Sequence, residues 1–302
     1  MLGRSLADGN AATLNLLAEC TFPSPGTSVA CAVSGGADSM ALLVLAVAAG
    51  CEVTAVHVDH GLRPGSHAEA AVVAAAADRF GAGFRAESID VGEGPNLEAR
   101  ARDARYSVLP DDVMTGHTAD DQAETVLINL MRGASNSGLA AMRPGTRRPI
   151  LALRRAATVR FCDALGIATV DDPSNRDPAY LRNRVRHELL PTMNELAGRD
   201  LVPVLVRQAG LMRDDADLLD ELASSIDPTD AKGLASAPLP LARRAVRRWL
   251  TTQHPPDAAT VERVLRVAGG QASGCDLGAG RRVERSRQRL RLLGEPTATP
   301  SR

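Results

Sequence analysis

Aromatic residues are nearly absent: one Trp, two Tyr and four Phe make up 2% of 302 residues. So few rings cannot build a run of base-stacking platforms, so any nucleic-acid contact falls to charged and polar groups. Five cysteines, Cys20, Cys31, Cys51, Cys162 and Cys275, include no C-x-x-C pair. That excludes the usual frames for structural zinc, an iron–sulfur cluster or a disulfide scaffold. Cys31 and Cys51 fall in apolar strand patterns and read as inert core thiols. Long hydrophobic runs are also missing. The longest, Met40–Ala49 and Ala70–Ala77, cannot span a bilayer, and the N-terminal stretch with Asp8 and Glu19 has no signal-peptide core. The expectation is a cytoplasmic protein with no membrane partner. Neither the Gly-Lys-Ser/Thr ending of a Walker loop nor a three-glycine dinucleotide fingerprint occurs.

The length suits one full α/β domain with a smaller partner. A net charge of −1 hides an asymmetry. Residues 231–302 carry 14 Lys and Arg against 5 Asp and Glu, leaving 21 against 31 for residues 1–230. Lys232 is the only lysine. Base-composition bias can explain Arg in place of Lys, but not the clustering, which points to a polyanionic partner for the C-terminal part. The expected division is 1–197 as a nucleotide-binding catalytic domain, 198–230 as a linking helical region and 231–302 as a basic binding domain.

The most informative segment is Val29–Leu43. An apolar, β-branched run enters Ser34-Gly35-Gly36-Ala37-Asp38-Ser39, and an apolar helical pattern follows at once. Strand, tight loop and helix N-terminus in that order make an anion site: glycines admit close approach and helix amides point at the ligand. Asp38 would repel a phosphate unless a cation lay between them, and a magnesium ion shared with a polyphosphate resolves this.

Alternating strands (28–34, 52–58, 84–89, 112–115) and helices (38–49, 66–80, 96–109, 119–132) predict a doubly wound parallel sheet, with ligands at the strand C-terminal ends. Ser66 with Glu69 reads as a capping box, and Asn96 as a helix cap. Residues 156–226 read as helical, with Pro191 kinking one helix or separating two. Residues 227–240, rich in proline, read as a linker. Helices at 241–251 and 257–268 precede an Arg-alternating hairpin over 274–293. Three further clusters join the first loop. Asp59-His60-Gly61-Leu62-Arg63 follows the second strand. Gly116-His117-Thr118-Ala119-Asp120-Asp121-Gln122-Ala123-Glu124-Thr125 ends the fourth strand and puts Asp121 and Glu124 on one helix face. Arg182 and Arg186, four residues apart, repel each other unless an anion or carboxylate joins them. Each taken alone also fits a solvated turn, a helix-dipole complement or a surface ion pair.

Together, these clusters resemble the tRNA(Ile)-lysidine synthase family of PP-loop ATP pyrophosphatases. The likeness rests on S-G-G-x-D-S, D-H-x-L-R, Asn96–Tyr106, G-H-x-x-D-D-Q-x-E-T, Arg132-Gly133-x-x-x-x-Gly138-Leu139 and R-N-x-x-R, and it covers residues 28–197. Thr118 stands where many members have a second His. The resemblance implies the short form, without the last C-terminal domain of longer members.

What the resemblance implies is an adenine-nucleotide fold with a smaller helical and hairpin C-terminal domain. The reaction is ATP-dependent ligation of free lysine onto the 2-carbon of the cytidine at the first anticodon position of tRNA(Ile) with a CAU anticodon. Ser34, Gly35, Gly36, Ala37, Asp38, Ser39 and His117 are then expected to bind ATP, and Asp38 and Asp121 magnesium. Asp38, Asp121, Glu124 and Arg182 are the expected catalytic residues, with Glu124 or Asp121 taking the amine proton. Asp59, His60, Arg63, Arg100, Arg105, Arg132, Arg186, Arg281, Arg282 and Arg285 are the expected contacts to substrate and tRNA. An oligomer is compatible with the sequence. The competing readings are a tRNA thiolase on the same fold and a catalytically silent nucleotide- or RNA-binding module.

Overall fold

The computed structural model describes residues 11–59, 67–90, 92, 97–252 and 255–294. His60, Arg63, Ser66 and Asn96, named above, lie outside the described residues. Two compact units divide at Gly210/Leu211, within a helix that spans Val202–Ser224.

The first unit is built on a parallel sheet of β1 (Ser28–Ala32), β2 (Glu52–Asp59), β3 (Gly83–Ser88) and β4 (Met114–Thr115), in the order β3-β2-β1-β4. Strand β1 is central and pairs Ser28 with Glu52 on one side and Cys31 with Met114 on the other. Its helices are α1 (Ala11–Ala18), α2 (Ala37–Ala48), α3 (His67–Phe80), α4 (Leu97–Val108), α5 (Ala119–Met131), the single turn α6 (Asn136–Leu139) and α7 (Arg155–Ala164). Strand, loop and helix alternate as the sequence pattern requires, because each apolar strand must be covered by an apolar helix face.

Helix α2 is apolar all round, and it is buried all round: Met40 through Ala46 have no exposure. It packs with Val33, Val53, Val73, Phe161, Ile150 and Leu153 in the main core. Truncating Leu42 or Leu43 there would cost about 2–5 kcal/mol. Burial fixes α2, and with it the loop at its N-terminus. Val56, Leu109 and Val113 form a smaller cluster with Tyr106, and Ala123, Leu127 and Ile128 of α5 pack against Val185, Leu190 and Val202.

Three expectations change. The stretch expected to be helical over 156–226 breaks between α7 and Leu181. A 3-10 turn, Pro173–Arg176, opens where the Asp172 side chain accepts from the Ser174 amide, and a proline at its start suits a first turn but not a helix interior. Helix α8 (Leu181–Arg184) then runs through a π turn, Val185–Leu189, into α9 (Leu190–Ala197), with Pro191 in the first turn of α9. The expected linker 227–240 instead contains α11 (Ala231–Ser236), capped by Asp230, and the start of α12 (Leu239–Leu250), with Pro240 in its first turn. The expected hairpin is a three-stranded antiparallel sheet of β5 (Gly274–Gly278), β6 (Arg281–Ser286) and β7 (Arg289–Leu293).

Val202–Ser224 is α10, and the second unit takes its later turns together with α11, α12, α13 (Ala258–Ala268) and the small sheet. Its core joins Leu234, Val246, Leu250, Val264, Val283 and Leu290. On α12, Ala242, Ala245 and Val246 face inward while Arg243 and Arg247 are exposed, the spacing of a one-sided helix.

Candidate active site

The loop after β1 is organised before any ligand arrives. Gly35 takes φ +90°, and its carbonyl accepts from the Val170 amide at 2.9 Å. A β-carbon on Gly35 would lie 2.8 Å from Val170 Cγ2, so the position requires glycine on both counts. The Ser34 amide donates to Ser39 Oγ at 3.1 Å, and the Ser39 hydroxyl donates to the Gly36 carbonyl at 2.9 Å. The two serines thus close the loop on itself and leave the first-turn amides of α2 directed outward. Behind the loop, buried His57 engages the Val33 carbonyl through Nδ1 at 2.9 Å.

A cleft of about 1070 Å³ opens over this loop. Ser34, Gly36, Ala37, Asp38, Ser39, Asp59, Arg105, His117, Asp121, Arg182 and Arg186 all line it. They arrive from the C-terminal ends of β1, β2 and β4, from the first turn of α2, from α4, α5 and α8, and from the π turn after α8, as the parallel sheet requires. Of the other expected residues, Glu124 is buried at 1% exposure just behind the wall. Gly35 turns against Val170. Arg100 donates to the Gly92 carbonyl at 3.3 Å. Arg132 is the exposed C-terminal cap of α5.

At the cleft floor one guanidinium joins three carboxylates. Arg155 Nε lies 3.0 Å from Asp38 Oδ2, Nη2 2.7 Å from Asp121 Oδ1, and Nη1 3.1 Å from Glu124 Oε1. Arg186 adds Nε to Glu124 Oε1 at 2.7 Å and Nη2 to Asp121 Oδ1 at 3.3 Å. Arg182 Nε sits 3.4 Å from Glu124 Oε2. The two arginines four residues apart are therefore reconciled by carboxylates, and the π turn that contains Arg186 lies where such turns often mark function.

The neighbours Asp120 and Asp121 divide their work. Asp120 accepts from the Arg155 amide at 2.8 Å and from Arg154 Nε at 3.1 Å, and so orients the start of α7. Asp121 Oδ2 accepts the Thr118 amide at 2.8 Å and its hydroxyl at 2.9 Å. Thr118 thus fixes the carboxylate through both its amide and its hydroxyl. Burial alone would raise the Asp121 pKa, but Arg155, the Thr118 amide, His117 and Arg182 outweigh it and hold the carboxyl below its usual range. Asp38 goes the other way: desolvation dominates over Arg155 and the Thr158 hydroxyl and pushes its carboxyl up.

Arg155 and Thr158, which donates to Asp38 Oδ1, were not foreseen from the sequence. A signal existed: Arg154-Arg155 opens a helix, where the dipole disfavours cations, so the pair must be held by carboxylates. Among the described residues no group of three or more His, Cys, Asp or Glu forms a metal-holding set. Cys31 and Cys162 are buried thiols, each pushed up to about 12 chiefly by desolvation. No helix among the described residues is long and apolar enough to cross a membrane.

The parallel sheet, the Ser-Gly-Gly-x-Asp-Ser loop and the acidic floor define a PP-loop ATP-binding protein, and the PP-loop domain family matches residues 10–193. A TilS substrate binding domain matches residues 230–291. The tRNA(Ile)-lysidine synthase of Nocardia farcinica is 43% identical over 245 residues, covering 76% of this chain and 77% of the relative. That of Thermobifida fusca is 40% identical over 267 residues, covering 80% and 82%. The chain belongs to the tRNA(Ile)-lysidine synthase family. Among solved structures, the U34-tRNA thiolase NcsA from Methanococcus maripaludis shares the fold with a TM-score of 0.55 at 14% identity, over 68% of this chain and 79% of that one.

Proposed function

We propose that this chain joins free lysine to the 2-carbon of the anticodon cytidine of tRNA(Ile) with a CAU anticodon, through an adenylated base. The observation that carries the reading is the acidic floor of Asp38, Asp121 and Glu124 beside the preorganised loop, in a chain that also matches the TilS substrate binding domain.

In the first step the cytidine 2-carbonyl oxygen attacks the α-phosphorus of ATP and pyrophosphate leaves. The Ser34–Ser39 loop and the first-turn amides of α2 hold the phosphates, and His117 lies at the same strand-end rim. Asp38 and Asp121 already share one cation, Arg155. That donor pair fits magnesium, which takes one or two carboxylates with the rest of its oxygens from phosphate. Bound there, magnesium would offset charge on the departing pyrophosphate. In the second step the lysine ε-nitrogen attacks C2, AMP leaves with the former carbonyl oxygen, and the amine loses a proton. A free lysine amine has a pKa of about 10.4 and arrives protonated, so Asp121 and Glu124 serve to bind the ammonium and one of them to accept its proton. Arg182 and Arg186 steady the adenylated base.

Residues 231–302 serve as the tRNA-binding part, with arginines meeting the phosphate backbone. The thiolase reading gains no support from five unpaired thiols, three of which, Cys31, Cys51 and Cys162, are buried. The test is to incubate the protein with ATP, labelled lysine and tRNA(Ile) bearing CAU, then digest the RNA. Labelled lysidine is the expected product; AMP release with another amine, or none, overturns the reading.

A further inference from the structure

We infer that Arg155 is a positioning residue that closes the acidic floor to cations until a bound polyphosphate draws its guanidinium away. The inference rests on the ligase reading above and adds an order of binding to it.

Every oxygen of the three carboxylates is already taken. Asp38 gives Oδ2 to Arg155 Nε at 3.0 Å and Oδ1 to the Thr158 hydroxyl. Asp121 gives Oδ1 to Arg155 Nη2 at 2.7 Å and Oδ2 to the Thr118 amide and hydroxyl. Glu124 gives Oε1 to Arg155 Nη1 at 3.1 Å, and both its oxygens to Arg186 at 2.7 and 3.1 Å. Three guanidinium charges from Arg155, Arg182 and Arg186 balance three carboxylates, so the floor presents no unmet negative charge to an ammonium or a metal ion. Arg155 alone of the three arginines engages Asp38, Asp121 and Glu124 together. A cation that is to reach Asp38 and Asp121 at once must displace it.

The place is also costly for an arginine in every respect but this one. It opens α7, where the helix dipole opposes a cation. It lines the same cleft as the phosphate-binding loop, and a planar guanidinium transfers readily from carboxylate to phosphate because both accept its paired N–H groups. Arrival of the polyphosphate supplies that alternative acceptor. The guanidinium's departure leaves the floor one negative charge in excess and frees Asp38 Oδ2, and metal and amine enter with the nucleotide rather than before it.

The test uses Mn²⁺ as the probe and the whole chain without nucleotide, followed by electron paramagnetic resonance. Wild-type protein is expected to leave the free Mn²⁺ signal unchanged, and Arg155→Gln to bind a single Mn²⁺ at least about 10-fold more tightly. Arg155→Lys, which keeps the charge but cannot reach three carboxylates, should exclude the ion in part. Adding Asp38→Asn to Arg155→Gln should remove the gained site. In calorimetry, lysine should bind wild type only with a non-hydrolysable ATP analogue and Arg155→Gln without it. Stoichiometric Mn²⁺ binding by nucleotide-free wild type overturns the inference whatever the variants do, and so does an Arg155→Gln protein of unchanged melting temperature that gains no site. Failure of the ligase reading shows separately, as absence of lysidine from the wild-type reaction.

Discussion

Gly116 lies so close to the backbone of Asp38 that a β-carbon at position 116 would fall 2.8 Å from the Asp38 carbonyl oxygen and 3.0 Å from Ser39 Cα. The end of β4 is thereby pressed against the first turn of α2, which brings His117 and Asp121 to the Ser34–Ser39 loop. Both contacts are backbone and cannot give way cheaply. Gly116→Ala should therefore cost about 1–3 kcal/mol of stability and, by moving the loop relative to Asp121, about 100-fold in turnover. Thermal melts and binding of a non-hydrolysable ATP analogue measure the two effects. An alanine variant with wild-type nucleotide affinity would show that the contact does not position the loop.

The two aspartates on Arg155 should respond to neutralisation with opposite sign. Asp38 has a raised folded-state pKa, set first by desolvation. Its charge therefore opposes folding above that pKa, and the opposition is gone below the unfolded value. Asp121 has a lowered folded-state pKa; its charge stabilises above the unfolded value, and that contribution is lost as pH falls through the folded one. At pH 7 in EDTA, Asp38→Asn should melt no lower than wild type and Asp121→Asn clearly lower, with the gap closing on acidification below the ordinary carboxylate range. Both should lose about 100-fold or more in lysidine formation. Equal destabilisation by both would refute the assignment of Asp38 as the aspartate whose charge opposes folding.

Cys31 and Cys162, each pushed up to about 12, carry about one thiolate in ten thousand at pH 8. Native protein should leave both unmodified by a thiol-reactive disulfide reagent over an hour at that pH, while denatured protein titrates all five thiols. Prompt modification of Cys162, whose sulfur contacts the Ala37 carbonyl at 3.4 Å beneath the loop, would reopen the thiolase reading.

Much of this architecture was legible because Val29–Val33 is an apolar run that leads into a polar glycine loop, and α2 is too apolar to lie anywhere but inside. The loop was legible because glycine, serine and aspartate at that spacing admit few other uses. What escaped depends on contacts across the chain. Arg155 looks like one surface arginine among many until α7 is folded against α5. Prolines misled: Pro240 marks a helix start rather than a linker, since a first-turn residue needs no amide. Arg281, Arg282 and Arg285, the expected tRNA contacts, also make contacts within the fold: Arg281 donates to the Leu250 carbonyl, Arg282 pairs with Asp276 and Glu284, and Arg285 donates to the carbonyls of Val267 and Ala268.

Arg287 is the better test of how the second unit meets RNA. It is exposed at the tip between β6 and β7 with φ +47°, followed by Gln288 at +64°. Two-residue turns of this hand favour Asn-Gly, and a side chain such as arginine costs about 1 kcal/mol in the left-handed region. Its exposed guanidinium places a positive charge at the hairpin tip, where a phosphate contact, if made, would draw on it. Arg287→Gly should relieve the backbone, with a gain of up to about 1 kcal/mol, yet weaken tRNA binding and reduce the slope of log affinity against log salt by about 1. Arg285→Glu makes the contrast. It should lower the melting temperature, because its guanidinium holds the carbonyl end of α13 at 2.9 Å. A glycine variant that is more stable and binds tRNA with unchanged affinity and salt slope would remove the hairpin tip from the RNA interface.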